Sequence, residues 1–278
     1  MFPHGLIGWF ISKLFKIKHV FNLIAYDAEL KYWGKISTFI TKRVLLDADF
    51  LIIEGFFEQD QINPKNKLLN FLKNIKIDFN KLLPGYSAVF PEKFFPIIDK
   101  EKKWDIITIA RLHQIKRIDL FIEIVQNVLD NIDITCAIIG DGPLLHELKK
   151  QVENKGLKNK ICFLGRISNN QLNLYYNSAK IFLLTSENEG LPATLVEAML
   201  TKTCPITTDV GAIPNLIKDG YNGFLYSIND LKNAEKIIIK CLKNNNLRNT
   251  IGNNSRKRAL EVSAWNRIDT WNKIMQSI

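Results

Sequence analysis

Arg111 and Lys116, five residues apart, follow a short apolar run, and two glutamates, Glu189 and Glu197, stand eight apart around a Gly190-Leu191-Pro192 turn. These residue types suit a phosphorylated ligand. A guanidinium is a planar fork that matches two phosphate oxygens, and an ammonium adds a point charge. Gly190 lets the backbone approach a ligand closely, and Pro192 suits the first turn of a helix whose free amides form a seat for phosphate. A carboxylate one turn further on, Glu197, can accept two hydroxyl hydrogen bonds, as acidic residues do for ribose in dinucleotide folds. Glu189, in the loop, would face the group attached beyond the phosphates. Singly these signals are weak: an arginine after a strand is usually solvated, Asp141-Gly142-Pro143 reads as a turn, and a lone helical glutamate is ordinarily a surface residue. Their order along the chain is what makes them specific.

That order depends on the elements that carry them. Residues 104–110 (WDIITIA) form an apolar run, and Ile118, Phe121, Val125, Val128 and Ile132 then recur at helical spacing. Residues 135–140 (TCAIIG, ending in Gly140), 161–165 (ICFLG), 181–186 (IFLLTS) and 204–209 (CPITTD) read as further strands, with helical stretches between them that include 144–155 and 193–200. Apolar strands alternating with amphipathic helices predict βαβ units and a parallel sheet covered on both faces. In such open sheets ligands lie at the carboxyl ends of the strands, where Arg111, Gly140 and the 186–192 loop fall.

The 278 residues, 46% hydrophobic and 24% charged, describe a globular chain with no collagen-like, disordered or membrane bias. Cys136, Cys162, Cys204 and Cys241 are widely spaced. The first three lie in strand-like runs and are expected to be buried reduced thiols, which fits a cytoplasmic location. An excess of 38 Lys+Arg over 28 Asp+Glu, net +10, favours anionic partners without choosing among them. No interleaving of aromatic and basic residues points to nucleic acid. At the N-terminus Lys13, Lys16 and Lys18 interrupt an apolar run too short to span a bilayer, and no signal-peptide pattern is present. What remains is a basic amphipathic helix with Leu6, Trp9, Phe10 and Leu14 near one face. Packing of that face against the core is the first expectation, and peripheral contact with an anionic membrane the second.

Residues 104–226 resemble the C-terminal domain of the retaining GT-B glycosyltransferases, the "glycosyl transferases group 1" family. The resemblance is carried by ITIARLHQIKRIDLFI, AIIGDGPLLHELKK, ICFLGRISNNQLNLYYNSAKIFLLTS, ENEGLPATLVEAML and TTDVGAIPNLIKDGYNGFLY. It implies an α/β, GT-B-like fold: a complete C-terminal Rossmann-like domain with a parallel sheet, plus a truncated N-terminal Rossmann-like lobe. The family's E-x7-E pair falls on Glu189 and Glu197. Its arginine and lysine for the donor diphosphate fall on Arg111 and Lys116. The resemblance further implies that Glu197 holds the ribose, that Gly190, Leu191, Pro192 and Gly140 lie against the donor, and that Glu189 lies near the transferred sugar. Ala110 stands where the family commonly has glycine.

The implied organisation is a partial acceptor-side lobe over 1–103, a nucleotide-sugar-binding domain over 104–262, and a final helix over 263–278 packing back toward the first lobe. HGLIGWFISKLFKIKHVFNLIAYDAEL and LDADFLIIEGF resemble the later part of the family's first lobe, with Ile24 where a histidine is frequent. The implied activity is transfer of a sugar from a nucleoside-diphosphate sugar to a glycan or lipid-linked acceptor, with retention and without metal or other cofactor. A degenerate nucleotide-sugar-binding subunit is the alternative, and a sugar epimerase would share the donor site. Asp47-Ala48-Asp49 has the D-x-D form of nucleotide-bound metal sites, but it precedes the 50–53 run instead of following it, so a helix-to-strand junction is expected. The four histidines have no metal-like spacing.

Overall fold

The computed structural model describes residues 4–23, 35–54 and 67–276. Continuous apolar runs from Trp104 onward become a six-stranded parallel sheet. In chain order its strands are β4 (Trp104–Ile109), β5 (Cys136–Ile139), β6 (Ile161–Gly165), β7 (Ala179–Leu184), β8 (Cys204–Thr208) and β9 (Phe224–Tyr226), paired as β6-β5-β4-β7-β8-β9. Successive side chains go to opposite faces: Ile106 and Ile181 enter one core cluster, Ile107 and Phe182 the other. Helices α4 (Ile118–Leu129), α5 (Leu145–Asn154) and α9 (Leu231–Lys243) cover the first cluster. Helices α6 (Asn169–Asn177), α7 (Ala193–Leu200) and α8 (Ile213–Leu216) cover the second, and α10 (Asn245–Glu261) packs on α7. The strand order reverses between β4 and β7, and beside that point a crevice opens at the carboxyl ends of β4 and β5, on the side of the sheet where this topology places ligands.

The smaller sheet is also parallel, in order β1 (Val20–Leu23), β2 (Phe50–Glu54), β3 (Leu82–Gly85). Phe21, Leu51, Ile53 and Leu82 join Val44 and Leu45 of α2 (Lys35–Asp47) and Leu72 of α3 (Lys67–Asn74) in its core. On the other face, α11 (Ala264–Gln276) lies against β3, and Thr270 Oγ1 donates to Pro84 O at 3.2 Å. Chain after β3 belongs physically to the larger sheet. Val89 and Phe94 are in its core, and Asn177 clamps the segment by accepting from Ile97 N at 2.7 Å and donating to Phe95 O at 2.9 Å. The charged run before Trp104 therefore falls after packing has already passed from one sheet to the other.

Two expectations need correction. Cys136 and Cys204 are buried, but Cys162, on the edge strand β6, is exposed. The N-terminal helix α1 (His4–Phe15) does not turn Phe10 and Leu14 to the core; they are 61% and 63% exposed. Of that stripe Trp9 turns inward, its Nε1 donating to Asp47 Oδ2 at 3.1 Å, while the Leu6 side chain lies outside the described residues. The turn at 24–27 also lies outside them.

Candidate active site

Arg111 leaves β4 directly into a cleft of about 550 Å³, whose walls include Ala110, Gly140, Asp141, Arg166, Leu172 and Thr194. Gly140 has φ +137, and a Cβ there would sit 1.9 Å from Ala110 O, so only glycine lets the ends of β4 and β5 close to this spacing. Its amide donates to Gly165 O at 2.8 Å, which brings the end of β6, and with it Arg166, to the same rim. Neither the Arg111 nor the Arg166 guanidinium has a protein partner among the described residues. Opposite them stands the N-terminus of α7, with Pro192 as its N-cap at φ −67 and ψ 117 and no side-chain cap. Helices α4, α5, α6 and α8 likewise have no side-chain cap, while α9 and α10 are capped by Asp230 and Asn244. Two guanidinium groups and a helix end without a side-chain cap thus border one cleft, an arrangement that can hold an anion.

Lys116 and Glu189 do not line that cleft. They form a second cluster beside it, Lys116 Nζ to Glu189 Oε1 at 2.6 Å, with Ser186 Oγ donating to the same oxygen at 2.6 Å. The two loops that carry the pair are tied together by Glu187 N to Ile115 O and Thr185 Oγ1 to Lys116 O, both 2.9 Å. Gly211, at φ +56, permits the loop after β8 to press on Glu189 O, which a Cβ would meet at 1.8 Å. Glu189 is 8% exposed, and its Oε2 has no protein partner among the described residues.

Glu197 follows Thr194 by three residues and so shares its face of α7, behind the cleft wall. It is 7% exposed, and Oε2 accepts a 2.7 Å hydrogen bond from Tyr176 of α6, which is itself four residues beyond the cleft-lining Leu172. Burial raises the pKa of Glu197, a rise the Tyr176 hydroxyl partly opposes. The Tyr176 hydroxyl is pushed well up by the same burial and by the neighbouring carboxylate. Both glutamates thus commit one oxygen to the protein and leave the other without a partner among the described residues. Leu191 packs on the sheet core, so it can offer a ligand only its backbone, and Gly190 is half-buried beside it.

Four residues of this arrangement were not among the sequence candidates: Arg166, Tyr176, Ser186 and Gly211. Arg166 follows a strand just as Arg111 does, and asking what succeeds residues 161–165 finds it. Tyr176 and Gly211 lie 21 and 22 residues from the glutamates they serve, with no local pattern to mark them. Asp47 and Asp49 are taken up structurally, the first by Trp9, Lys13 and Arg43, the second by His19 N at 2.7 Å.

Comparison with known proteins gives the family and the fold. The family model described as "Glycosyl transferases group 1" matches residues 89–258, more than half of the chain. The chain is 30% identical over 243 residues to alpha-monoglucosyldiacylglycerol synthase of Streptococcus pneumoniae, covering 81% of this chain and 54% of that protein. To a Campylobacter jejuni alpha-1,4-N-acetyl-D-galactosaminyltransferase that acts on an undecaprenol-linked glycan it is 28% identical, covering 75% and 56%. The chain therefore spans about half the length of these curated relatives. The fold matches Anabaena HepE, solved with UDP and glucose, at a TM-score of 0.82 and 16% identity, covering 99% of this chain and 76% of that one. With both sheets and the matched span on the page, the chain belongs to the glycosyl transferases group 1 family and has its GT-B fold.

Proposed function

We propose that the chain carries the donor site of a retaining glycosyltransferase that moves a sugar from a nucleoside-diphosphate sugar to a glycan or lipid-linked acceptor. The observation that carries this reading is the convergence of Arg111, Arg166 and the start of α7 on one cleft at the carboxyl ends of β4 and β5, beside the switch point of the sheet. In the reaction the bond between the anomeric carbon and the diphosphate breaks, and charge grows on the departing phosphate. Cations and helix amides fixed beforehand stabilise that charge without reorganising. Arg111 and Arg166 do so from one side and the α7 amides from the other.

Lys116, oriented by Glu189, keeps two further N–H groups for a phosphate oxygen, since its ammonium has three donors. Glu189 offers Oε2 to the sugar. Glu197, steadied by Tyr176, offers Oε1 to the ribose hydroxyls. These residues supply positioning and charge with no metal assigned a role.

Calorimetric titration with UDP, the nucleotide held by the solved HepE, together with a donor-consumption assay on UDP-sugars, tests this. Arg111→Ala should lower transition-state stabilisation by roughly 2–4 kcal/mol while leaving the fold intact. Wild-type turnover in that variant would remove Arg111 from the mechanism. UDP binding with no turnover across donors would favour the binding-subunit alternative.

A further inference from the structure

Away from the donor cleft a separate cavity of about 280 Å³ lies between α8 and the later turns of α10. Asn254, Lys257, Arg258 and Glu261, spaced three and four apart on α10, form one wall. The loop before β9 forms the other, with Lys218 and Tyr221. That loop is held from inside: Asn222, 3% exposed, accepts from Lys218 N at 2.6 Å and donates to Leu216 O at 3.0 Å. Two further bonds fix the spacing of the walls, Asn254 Nδ2 to Tyr221 O at 2.9 Å and Arg258 Nη2 to Asn215 O at 3.0 Å. The cavity shares no lining residue with the donor cleft and does not depend on the donor reading.

We propose that this cavity binds a phosphate-bearing saccharide unit, with the phosphate on Lys218 and Lys257 and the sugar ring against Tyr221. The charges argue for an anion. Three cations meet here against one acid, Glu261, which Arg258 already engages. Nearby Asp219 is outside the lining and accepts from Leu225 N at 2.9 Å. Neither the Lys218 nor the Lys257 ammonium has a hydrogen-bond or ion-pair partner among the described residues. Ammonium groups on opposite walls suit the diverging oxygens of a phosphate. A flat carboxylate is matched best by an arginine fork, and here that fork is taken. The aromatic ring argues for a saccharide. Tyr221 is 52% exposed, and Lys218 Nζ stands 5.6 Å from its ring centroid, so an anion held by Lys218 lies beside an open aromatic surface. The C–H bonds of a pyranose carry slight positive charge and pack on the negative face of such a ring. Asn254 keeps its Oδ1 for a sugar hydroxyl. At about 280 Å³, near the lower end of the range for small-molecule sites, the cavity has room for one sugar unit and not for a chain.

Calorimetric titration of the whole chain with glucose 1-phosphate tests it, with UDP in excess to fill the donor cleft. Glucose 1-phosphate should bind at least about tenfold more tightly than glucose or inorganic phosphate, since each of those keeps only part of the contacts. Lys257→Glu should weaken its binding at least about tenfold. Tyr221→Ala should weaken it about fivefold and leave the affinity for inorganic phosphate unchanged. Both side chains are exposed, so the two variants should keep the wild-type thermal midpoint. UDP titration should be the same in wild type and both variants, so a failure here is distinct from a failure of the donor site. The proposal is overturned by absence of glucose 1-phosphate binding, or by wild-type affinity in either variant. Inorganic phosphate binding as tightly as glucose 1-phosphate would also overturn it and make the cavity a plain anion site. Glucose binding as tightly would overturn it in favour of a neutral-sugar site.

Discussion

The six-stranded sheet buries apolar side chains on both faces and carries unpartnered cations at its strand ends, whereas the three-stranded sheet carries its cations beside an outward apolar helix face. Each sheet thus departs from a water-adapted surface, but in a different place. In the larger sheet the departure is polar and concave: guanidinium groups and an uncapped helix end facing a cleft. In the smaller it is apolar and convex. A concave charged site selects a small anion by shape, which a convex apolar stripe cannot do. The difference also predicts how each tolerates change. Backbone at the larger sheet's strand ends is packed so closely that a Cβ on Gly140 would clash, while a Cβ on Gly8 of α1 would have room.

Adding one methyl at each place should expose that contrast most strongly. In Gly140→Ala the new Cβ would lie 1.9 Å from Ala110 O at a φ of +137, and both strand ends must move. The cost should be about 3 kcal/mol or more, read from the urea midpoint, with UDP affinity falling in parallel because Arg111 moves with Ala110. Gly8→Ala in α1 meets one atom at ordinary contact distance, and should stabilise by about 0.5–1 kcal/mol through better helix propensity. Equal stability changes of the same sign at the two positions would mean that the strand ends are not closed as described.

Glu197 supplies the next largest effect and separates binding from folding. Its pKa is raised by burial, so the native state holds the proton more tightly than the unfolded chain. This group's contribution to stability therefore decreases as pH rises from the usual carboxylate value through the raised one. Glu197→Gln keeps an acceptor for Tyr176 and removes the buried charge, so it should flatten that pH slope and leave stability at neutral pH equal or higher. UDP affinity should nonetheless fall by roughly ten- to a hundredfold, the worth of hydrogen bonds to a charged acceptor. A variant that loses stability but keeps affinity would make Glu197 a structural residue and return the ribose to another group.

Much of the larger sheet was legible because its chemistry is local. The runs at 104–110, 161–165 and 204–209 differ from β4, β6 and β8 by a residue or none at each end, and the 193–200 helix coincides with α7. Arg111 was found because it follows a strand. What was not legible depends on contacts between distant segments. The tyrosine behind Glu197, the glycine under Glu189 and the passage of residues 89–94 to the larger sheet each join chain far apart in sequence. The direction of α1 was unreadable for a different reason: periodicity identifies an apolar stripe, but not whether core or solvent lies against it. Likewise Cys162 is exposed on β6 at the sheet edge, a place the strand's own composition does not encode.

The smallest effect belongs to the smaller sheet and is a matter of pH. His19 precedes β1, bonds through its backbone to Asp49 and Phe50, and stacks edge-on to Phe21 at 5.6 Å. The residue is 8% exposed, and its Nδ1 is buried without a partner among the described residues. Burial lowers its pKa from 6.5, Asp49 opposes the shift and Lys13 adds to it. The unfolded chain therefore takes up a proton near pH 6.5 while the folded one resists. Stability of the smaller sheet should fall as pH drops below that value, until the lowered native pKa is reached. Amide exchange at β1 and β2, corrected for intrinsic rates, should accelerate over this range, with amides of β4 and β7 unchanged. His19→Phe should abolish the acceleration, since a phenyl ring fills the site and binds no proton. Were the wild-type and His19→Phe slopes the same, the pH response would belong to another group and the imidazole would be a packing element alone.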